Sequence, residues 1–187
     1  KAAALLVEKV NHLVTSTKEC VFKFCEPMTA AVFGRAFPMR FMKALLSYTT
    51  AQMQPDWTDD GVTVTSALDD ACLPLYLTNG YTGAELCNLF DGGALSLPIY
   101  EADRPVCTCL TYPNSDTIWE IGGVHTILQA RRRGLGRRVV AAALRTLLEQ
   151  GRIPRYQVEE TNLASVKLAE SLGLTLCLRF EHYTSAL

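Results

Sequence analysis

The fold of this chain is decided by one stretch rich in arginine and glycine, Arg131-Arg132-Arg133-Gly134-Leu135-Gly136-Arg137-Arg138. The stretch, here called the cradle, lies between a strand-like run over residues 119–128 and a helix-like run over residues 135–150. Its glycines let the main chain approach a ligand closely, and the first turn of a helix leaves N–H groups without intrahelical partners. Those donors, the positive end of the helix dipole and five arginines favour an anion. The cradle therefore predicts a diphosphate-binding site.

Other interpretations of the cradle make different demands on the sequence. A nucleic-acid patch is disfavoured because 18 basic residues face 19 acidic ones, so the electrostatic drive for a large footprint is weak. A dinucleotide fingerprint needs a third glycine, where this chain has Val139, and no P-loop Lys-Ser/Thr pair follows the glycines. The cradle residues alone also allow a third interpretation, a solvated arginine loop that caps an ordinary helix.

The residues after the cradle predict a regular series of elements. Residues 135–150 place apolar side chains at i, i+4 spacing on one helix face, and Gly151 ends that helix. Residues 156–160 alternate as in a strand. Asn162 is suited to cap a helix over residues 163–172, and residues 174–178 return as a strand. The predicted order is strand, cradle, helix, strand, Asn-capped helix, strand.

Three short motifs in this order resemble one known family. Arg131-x-x-Gly134-x-Gly136 resembles the acyl-CoA signature of the GNAT superfamily of N-acetyltransferases. Asn162-x-x-Ser165 followed by Leu172-Gly173-Leu174 is similar to its Asn…Leu-Gly-Phe element, and Gly123-Val124-His125-Thr126 resembles the end of its fourth strand. The resemblance covers residues 94–183, and residues 119–183 also resemble the glycine N-acyltransferase-like branch.

The resemblance implies an α+β fold with a mixed, mostly antiparallel central sheet and helices on both faces. Residues 94–101, 104–112 and 118 onward read as the antiparallel front of that sheet. We expect two parts: a mainly helical N-terminal extension over residues 1–58 and a GNAT-like acyl-CoA-binding domain over residues 59–187. Three interpretations of the extension stay open: a degenerate copy of the fold's first half, a dimerisation element, or a helical cover over the acceptor site.

The resemblance also assigns residues to acetyl-CoA, the expected co-substrate. The fourth and fifth strands of the family splay apart, and the pantetheine arm lies between them. The pyrophosphate takes cradle N–H groups, and an asparagine holds the pantetheine from the other side, with a serine as a weaker candidate. Strand alternation turns His125 away from the side of Val124 and Thr126, so a core or surface role is its default. The assigned residues are Val124, His125, Thr126, Arg131, Arg132, Arg133, Gly134, Leu135, Gly136, Arg137, Asn162 and Ser165.

Acyl transfer to an amine requires a base, because an alkylammonium with a pKa of roughly 10 is protonated at neutral pH. Glu120 lies on the strand before the cradle, at the position where some family members carry a catalytic glutamate. The alternative role is a strand carboxylate paired with an arginine or exposed to solvent. Glu159 and Glu160, on the facing strand, are reserve candidates.

The chain departs from the family at the usual general acid. Ala169 stands where the family often has a tyrosine that protonates the departing thiolate. Tyr183 and His182, in the C-terminal strand, are candidates to replace that general acid. The alternative is that they are a pair on an edge strand with no catalytic role. Thiols ionise near roughly pH 8.5, so a missing acid need not abolish turnover.

Composition fits an intracellular enzyme domain. The chain has 187 residues, 49% of them hydrophobic, which is enough for a sizeable core. None of the seven cysteines forms a Cys-x-x-Cys pair, so neither a disulfide framework nor a metal site is predicted. No run reaches a membrane span and no signal peptide is recognised, which favours the cytoplasm and no membrane partner. The start at Lys1 indicates a trimmed natural N-terminus.

These observations predict an N-acetyltransferase that moves an acetyl group from acetyl-CoA to a primary amine by direct attack in a ternary complex. The acceptor is a small molecule or a peptide amine, and residues 67–90 shape its pocket by family resemblance. Two alternatives stay open: a non-catalytic acyl-CoA-binding or regulatory module, and an N-acyltransferase that uses longer acyl chains. Homodimer formation is one further expectation.

Overall fold

The computed structural model describes residues 2–10 and 20–185. The helices are α1 Ala2–Val10, α2 Pro27–Ala36, α3 Leu73–Thr78, α4 Gly83–Asp91, α5 Leu135–Glu149 and α6 Leu163–Ser171. The strands are β1 Val21–Phe24, β2 Met39–Thr49, β3 Leu95–Ser96, β4 Ile99–Glu101, β5 Arg104–Pro113, β6 Ile118–Thr126, β7 Ile153–Glu159 and β8 Thr175–Ser185. None of these six helices is both long and apolar enough to cross a membrane.

The strand pairing is mixed and mostly antiparallel, as predicted. The pairs β1–β8, β3–β5, β4–β5 and β5–β6 are antiparallel, and β6–β7 is parallel. The described residues group into two compact units. The first comprises residues 2–10, 20–47, 158–163 and 176–185, and the second comprises residues 48–157 and 164–175. The division expected at residue 58 stays a prediction.

The first unit is built around an aromatic cluster. Phe22 and Phe24 of β1 pack against Phe33 of α2 and Phe37. β1 runs antiparallel to β8, with Val21 opposite Thr184. The cluster gives α2 and β1 a shared apolar face, which explains why these short elements form together.

The expectation of a mainly helical extension is wrong over β2. Residues 39–49 form a strand, and residues 44–48 are buried in succession. The backbone N–H of Glu160 donates to the carbonyl of Ala44 at 3.0 Å, so a partner more than a hundred residues away supports this strand. Tertiary pairing of this kind overrides a helix-like apolar spacing. The part of the prediction that concerns residues 11–19 lies outside the described residues.

The sheet of the second unit has helices on both faces, as predicted. On one face, here called the α3 face, Thr108 Oγ1 donates to the Tyr76 hydroxyl of α3, and Leu110 packs in the same cluster. The other face, here called the α5 face, carries Cys107 and Cys109 by alternation along β5. α5 packs on β5 and β6 through a fully buried stripe. Its members include Val139, Val140, Ala143, Leu144 and Leu147.

Candidate functional site

β6 and β7 pair only along their first halves. The parallel register runs from Ile118–Ile153 to Ile121–Tyr156, although β6 continues to Thr126 and β7 to Glu159. Beyond Ile121 the two strands therefore separate, and no β7 residue pairs with residues 122–126 of β6. This separation agrees with the splay that the sequence resemblance implies.

A β-bulge at Gly123 changes the face on which β6 side chains lie. The β5–β6 register shifts by one residue between the pairs Thr108–His125 and Leu110–Gly122, and Gly123 has a φ of 60°. A residue with a side chain seldom adopts this left-handed conformation, which explains the glycine. One extra residue reverses the alternation that follows it. Residues 124 and 126, after the bulge, therefore point to the face opposite Glu120 and Gly122, whereas simple alternation would place all four on one face.

The observed neighbours agree with this reversal. A Cβ placed on Gly122 would lie 2.7 Å from the Tyr81 hydroxyl on the α3 face. A Cβ placed on Gly136 would lie 3.9 Å from both Val124 Cγ1 and Thr126 Oγ1, on the α5 face. Glu120 thus shares the α3 face with Gly122, whereas Val124 and Thr126 face the cradle. His125 points away from those two residues, as its position in the strand predicted.

The cradle holds a row of backbone donors at the start of α5. Arg132 and Gly134 are left-handed, with φ values of 62° and 74°. Leu135 is buried and anchors the turn. Within the part of the chain that the structure describes, no group accepts a hydrogen bond from the N–H groups of residues 132–137. Consecutive free N–H groups at a helix N-terminus form a binding site for an anion.

Three cradle arginines already have partners within the protein. Arg133 makes a bidentate ion pair with Glu101, and this partner lowers the pKa of the Glu101 carboxyl. Arg137 Nη2 lies 2.6 Å from Asp56 Oδ2, and Arg131 Nε donates to the Thr126 carbonyl at 3.1 Å. These side chains brace the loop, so the sequence-based expectation of five arginines around a ligand overstates their free charge.

Arg138 differs from these three arginines. Its Nε atom is buried and has no hydrogen-bond partner among the described residues. A buried, unpartnered donor in a cationic group is costly, and an anion bound at the cradle would satisfy it. Arg138, which the sequence-based assignment of ligands omitted, is therefore a further candidate for anion binding.

Two carbonyls of the predicted pantetheine edge also accept hydrogen bonds from side chains. Asn79 Nδ2, at the end of α3, donates to the Val124 carbonyl at 3.1 Å, and the Thr126 carbonyl is held by Arg131. The backbone N–H of Ile127 donates to Val106 of β5 at 3.0 Å. Alternation along β6 therefore directs the Val124 and Thr126 carbonyls away from β5, toward the side on which the splay opens.

Glu120 is a buried carboxylate beside an arginine. Its side chain is 8% exposed, and Arg155 Nε of β7 donates to its Oε2 at 2.6 Å. Burial raises the pKa of Tyr81 and Tyr112, and the negative charge of Glu120 raises both further. The ion pair with Arg155 agrees with a purely structural role for Glu120. Its location near the phenols of Tyr81 and Tyr112, on a strand next to the splay, agrees with a catalytic role.

A cavity of about 300 Å³ opens on the α3 face, and one of its lining residues, Tyr112, is the cross-strand partner of Glu120. Its apolar wall is Leu89, and Asn88 of α4 supplies an amide. The Glu85 carboxylate at its edge is engaged in the capping box of α4, where it accepts a hydrogen bond from the Thr82 N–H at 2.7 Å. The location within residues 67–90 fits the expected acceptor pocket. Its lining residues are Tyr81, Glu85, Asn88, Leu89 and Tyr112.

Asn162 and Ser165, the two residues predicted to contact the pantetheine, belong to different units. Asn162 lies in the first unit, directly before α6, at the predicted N-cap position. Ser165 lies in the second unit and makes a side-chain hydrogen bond with the phenol of Tyr156. Tyr156 was absent from the predicted site. The sequence does contain a signal for it, because Tyr156 follows Arg155 in an alternating strand and so points to the face opposite Glu120.

The other predicted acid and base candidates lie in the first unit. All of them except His182, whose buried Nε2 has no hydrogen-bond partner among the described residues, have polar partners there. The Tyr183 hydroxyl donates to Glu181 Oε2 at 2.8 Å, which raises the pKa of Tyr183. Burial lowers the pKa of His182. The reserve carboxylates are also paired, Glu159 with Lys43 at 2.6 Å and Glu160 with Arg179 at 2.8 Å.

The cysteine beside Thr126 is a weak nucleophile. Cys107 Sγ lies 3.1 Å from Thr126 Oγ1, and burial raises the pKa of Cys107 to about 11. A thiol with this pKa stays protonated at neutral pH, and the thiolate is the reactive form. Cys107 is therefore a poor candidate for a covalent nucleophile.

Comparison with known proteins gives a consistent family match. The family model described as GNAT acetyltransferase matches residues 88–183. No significant match is found among curated proteins. A GCN5-related N-acetyltransferase from Kribbella flavida is 18% identical with a TM-score of 0.72, over 98% of this chain and 75% of that one. A GNAT acetyltransferase from Colwellia psychrerythraea is 14% identical with a TM-score of 0.68, over 99% and 71%. At these identities the two structures indicate the fold alone.

Proposed function

The chain belongs to the GNAT acetyltransferase family, and from this premise we propose that it transfers an acetyl group from acetyl-CoA to a primary amine. The acceptor attacks the thioester directly in a ternary complex. One observation carries the proposal: the unpartnered N–H groups of residues 132–137 lie next to the splay of β6 and β7. Such a row suits the pyrophosphate of a CoA ester, whose arm then enters the splay.

The cradle fits a diphosphate in charge and in space. The N–H groups of residues 132–137 and the guanidinium of Arg138 supply donors, and the dipole of α5 adds partial positive charge. Gly136 leaves clearance between α5 and the side chains of Val124 and Thr126. The bracing ion pairs of Arg133 and Arg137 keep the loop in a shape that presents its backbone.

The acceptor approaches from the α3 face. The bulge at Gly123 places Glu120 on that face beside the cavity of Tyr81 and Tyr112, opposite the cradle side. In this proposal Glu120 takes the proton of the ammonium, directly or through a water molecule, as the new C–N bond forms. Arg155 donates to the Glu120 Oε2 atom at 2.6 Å and orients the carboxyl group for that step.

The remaining predicted roles stay part of the proposal. Asn162 and Ser165 are proposed to contact the pantetheine, and Tyr183 is kept as a candidate general acid. We further propose a small-molecule or peptide amine as acceptor, a cytoplasmic location and a homodimeric assembly.

A non-catalytic acyl-CoA-binding module is the second candidate function. It is favoured by the fully buried Ala169 at the usual position of the acid and by the pairing of Glu120 with Arg155. Donors longer than acetyl belong to the same test.

Binding and turnover are tested separately. Thermal unfolding with acetyl-CoA, CoA, ATP and NAD should give a shift with the two CoA compounds alone. Release of free thiol across a panel of amines then separates an enzyme from a binding module, which gives no release above hydrolysis. Absence of any shift with acetyl-CoA and CoA would leave only the solvated arginine loop.

The role of Glu120 is tested by Glu120→Gln, with Glu159→Gln as the matched control on β7. Loss of a general base should lower kcat by about 10²–10⁴-fold with little change in acetyl-CoA affinity. The control should retain its rate, because Glu159 pairs with the exposed Lys43. An unaltered rate in Glu120→Gln would remove Glu120 from the mechanism.

A further inference from the structure

Tyr156 lies at the point where the sheet of the second unit opens. It forms the last residue pair between β6 and β7, opposite Ile121, and beyond it the strands separate. Its side chain is 3% exposed, and burial raises the pKa of Tyr156 to about 12. A buried phenol at the end of a paired strand segment is placed to meet whatever occupies the gap beyond.

The phenol faces the cradle side of the sheet. Arg155, one residue earlier, pairs with Glu120 on the α3 face, so alternation turns Tyr156 to the α5 face. Its hydrogen bond with Ser165 of α6 and its electrostatic interaction with Cys109 agree with that direction. Base and phenol therefore lie on adjacent residue pairs of β6 and β7, on opposite faces of the sheet.

α6 connects this phenol to the cradle. Leu168, one turn after Ser165, lies 3.8 Å from a Cβ placed on Gly136. Ala169 is four residues after Ser165 and shares its helix face. That face carries no phenol of its own, and Tyr156 brings one to it from β7. The hydrogen bond with Ser165 holds the phenol of Tyr156 against α6.

We propose that Tyr156, positioned by Ser165, donates a hydrogen bond to the thiolate of CoA as it departs. This inference rests on the proposed function. The C–N bond forms and the C–S bond breaks, the ammonium proton passes to Glu120 or water, and the electron pair of the C–S bond stays on sulfur. The phenol keeps its proton throughout, because its pKa of about 12 exceeds the roughly 8.5 of a thiol. Tyr156 stabilises charge on the leaving group without transferring a proton.

The test measures the ionisation of bound CoA and needs no acceptor. The thiol of CoA is titrated by its thiolate absorbance, free and bound to wild type, Tyr156→Phe, Ser165→Ala and Tyr76→Phe. Tyr76 is a fully buried tyrosine on the α3 face, so its variant controls for loss of a buried hydroxyl. Wild type should bind the thiolate preferentially and lower the pKa of the bound thiol below that of free CoA. Tyr156→Phe should raise it again by about one unit, a tenfold change in ionisation.

Ser165→Ala should give a smaller change in the same direction, and Tyr76→Phe should give none. The turnover number of Tyr156→Phe should fall about tenfold at unchanged KM for the acceptor, the loss expected for a bond made only as charge develops. An identical thiol pKa in wild type and Tyr156→Phe, both saturated with CoA, would overturn the inference and leave the proposed function intact. Absence of CoA binding to wild type would instead refute the proposed function.

Discussion

Replacement of Gly136 by progressively larger residues tests the cradle most directly. A Cβ at this position would lie 3.8–3.9 Å from Leu168, Thr126 and Val124, which is ordinary van der Waals contact. Gly136 is helical and has no left-handed φ, so Ala is tolerated there and should stabilise the unliganded protein by about 0.5–1 kcal/mol. Any larger side chain must occupy the space between α5 and β6 that the proposed ligand would fill.

Thermal unfolding with and without acetyl-CoA follows the series Gly136→Ala, →Leu and →Trp. Ligand at 100 times its Kd adds about 2.7 kcal/mol to stability, which corresponds to a shift of about 5–11 °C for a chain of this length. The shift should persist in Gly136→Ala, decrease in Gly136→Leu and vanish in Gly136→Trp.

Gly83→Trp is the matched control for this series. Gly83 also lies in the first turn of a helix and has no positive φ, and a Cβ placed on it would have no atom within 4 Å. The Gly83→Trp protein should keep the full acetyl-CoA shift. A folded Gly136→Trp protein that shows the wild-type shift would refute the cradle as the binding site.

Three other changes probe the scaffold. Gly134→Ala forces a side chain into a φ of 74° and should cost about 1–2 kcal/mol in urea unfolding, without a steric clash. Leu144→Ala removes a fully buried side chain of α5 and should cost about 2–5 kcal/mol by the same measurement. Hydrogen bonds from Tyr100 and the Ala71 N–H hold the pKa of Asp69 below its ordinary 3.8. This stabilisation is fully present above that value and is lost as pH falls through the folded pKa, so Asp69→Asn should flatten the acid limb of the stability profile.

The sequence identified the cradle and the elements around it because their signals are local. Glycine at 134 marks the left-handed residue before α5, and glycine at 151 ends the helix at the predicted position. The strand predictions over residues 104–112 and 118 onward match β5 and β6 within a few residues. Each of these features depends on chemistry within a few residues of the chain, which a single sequence contains.

The features that the sequence did not reveal depend on distant partners. The bulge at Gly123 is visible only in the register of β6 against β5. The partners of Arg133 and Arg137, Glu101 and Asp56, are more than thirty residues away in the chain. Residues 39–49 have the apolar spacing of a helix but form a strand, because pairing decides their conformation. The arginines looked like free charges in the sequence because their acidic partners come together with them only in the folded chain.

The bulge at Gly123 also affects how β6 can change by mutation. Before it, Glu120 and Gly122 share the face of the aromatic cavity, and after it, Val124 and Thr126 share the face of the cradle. Substitutions on one segment therefore leave the surroundings of the other untouched, even though fewer than ten residues contain both. Under the proposed function, a change of acceptor would involve the cavity on the face of the first segment and would spare the second segment. The proposed donor site, a few positions later on the opposite face, would then be inherited unchanged.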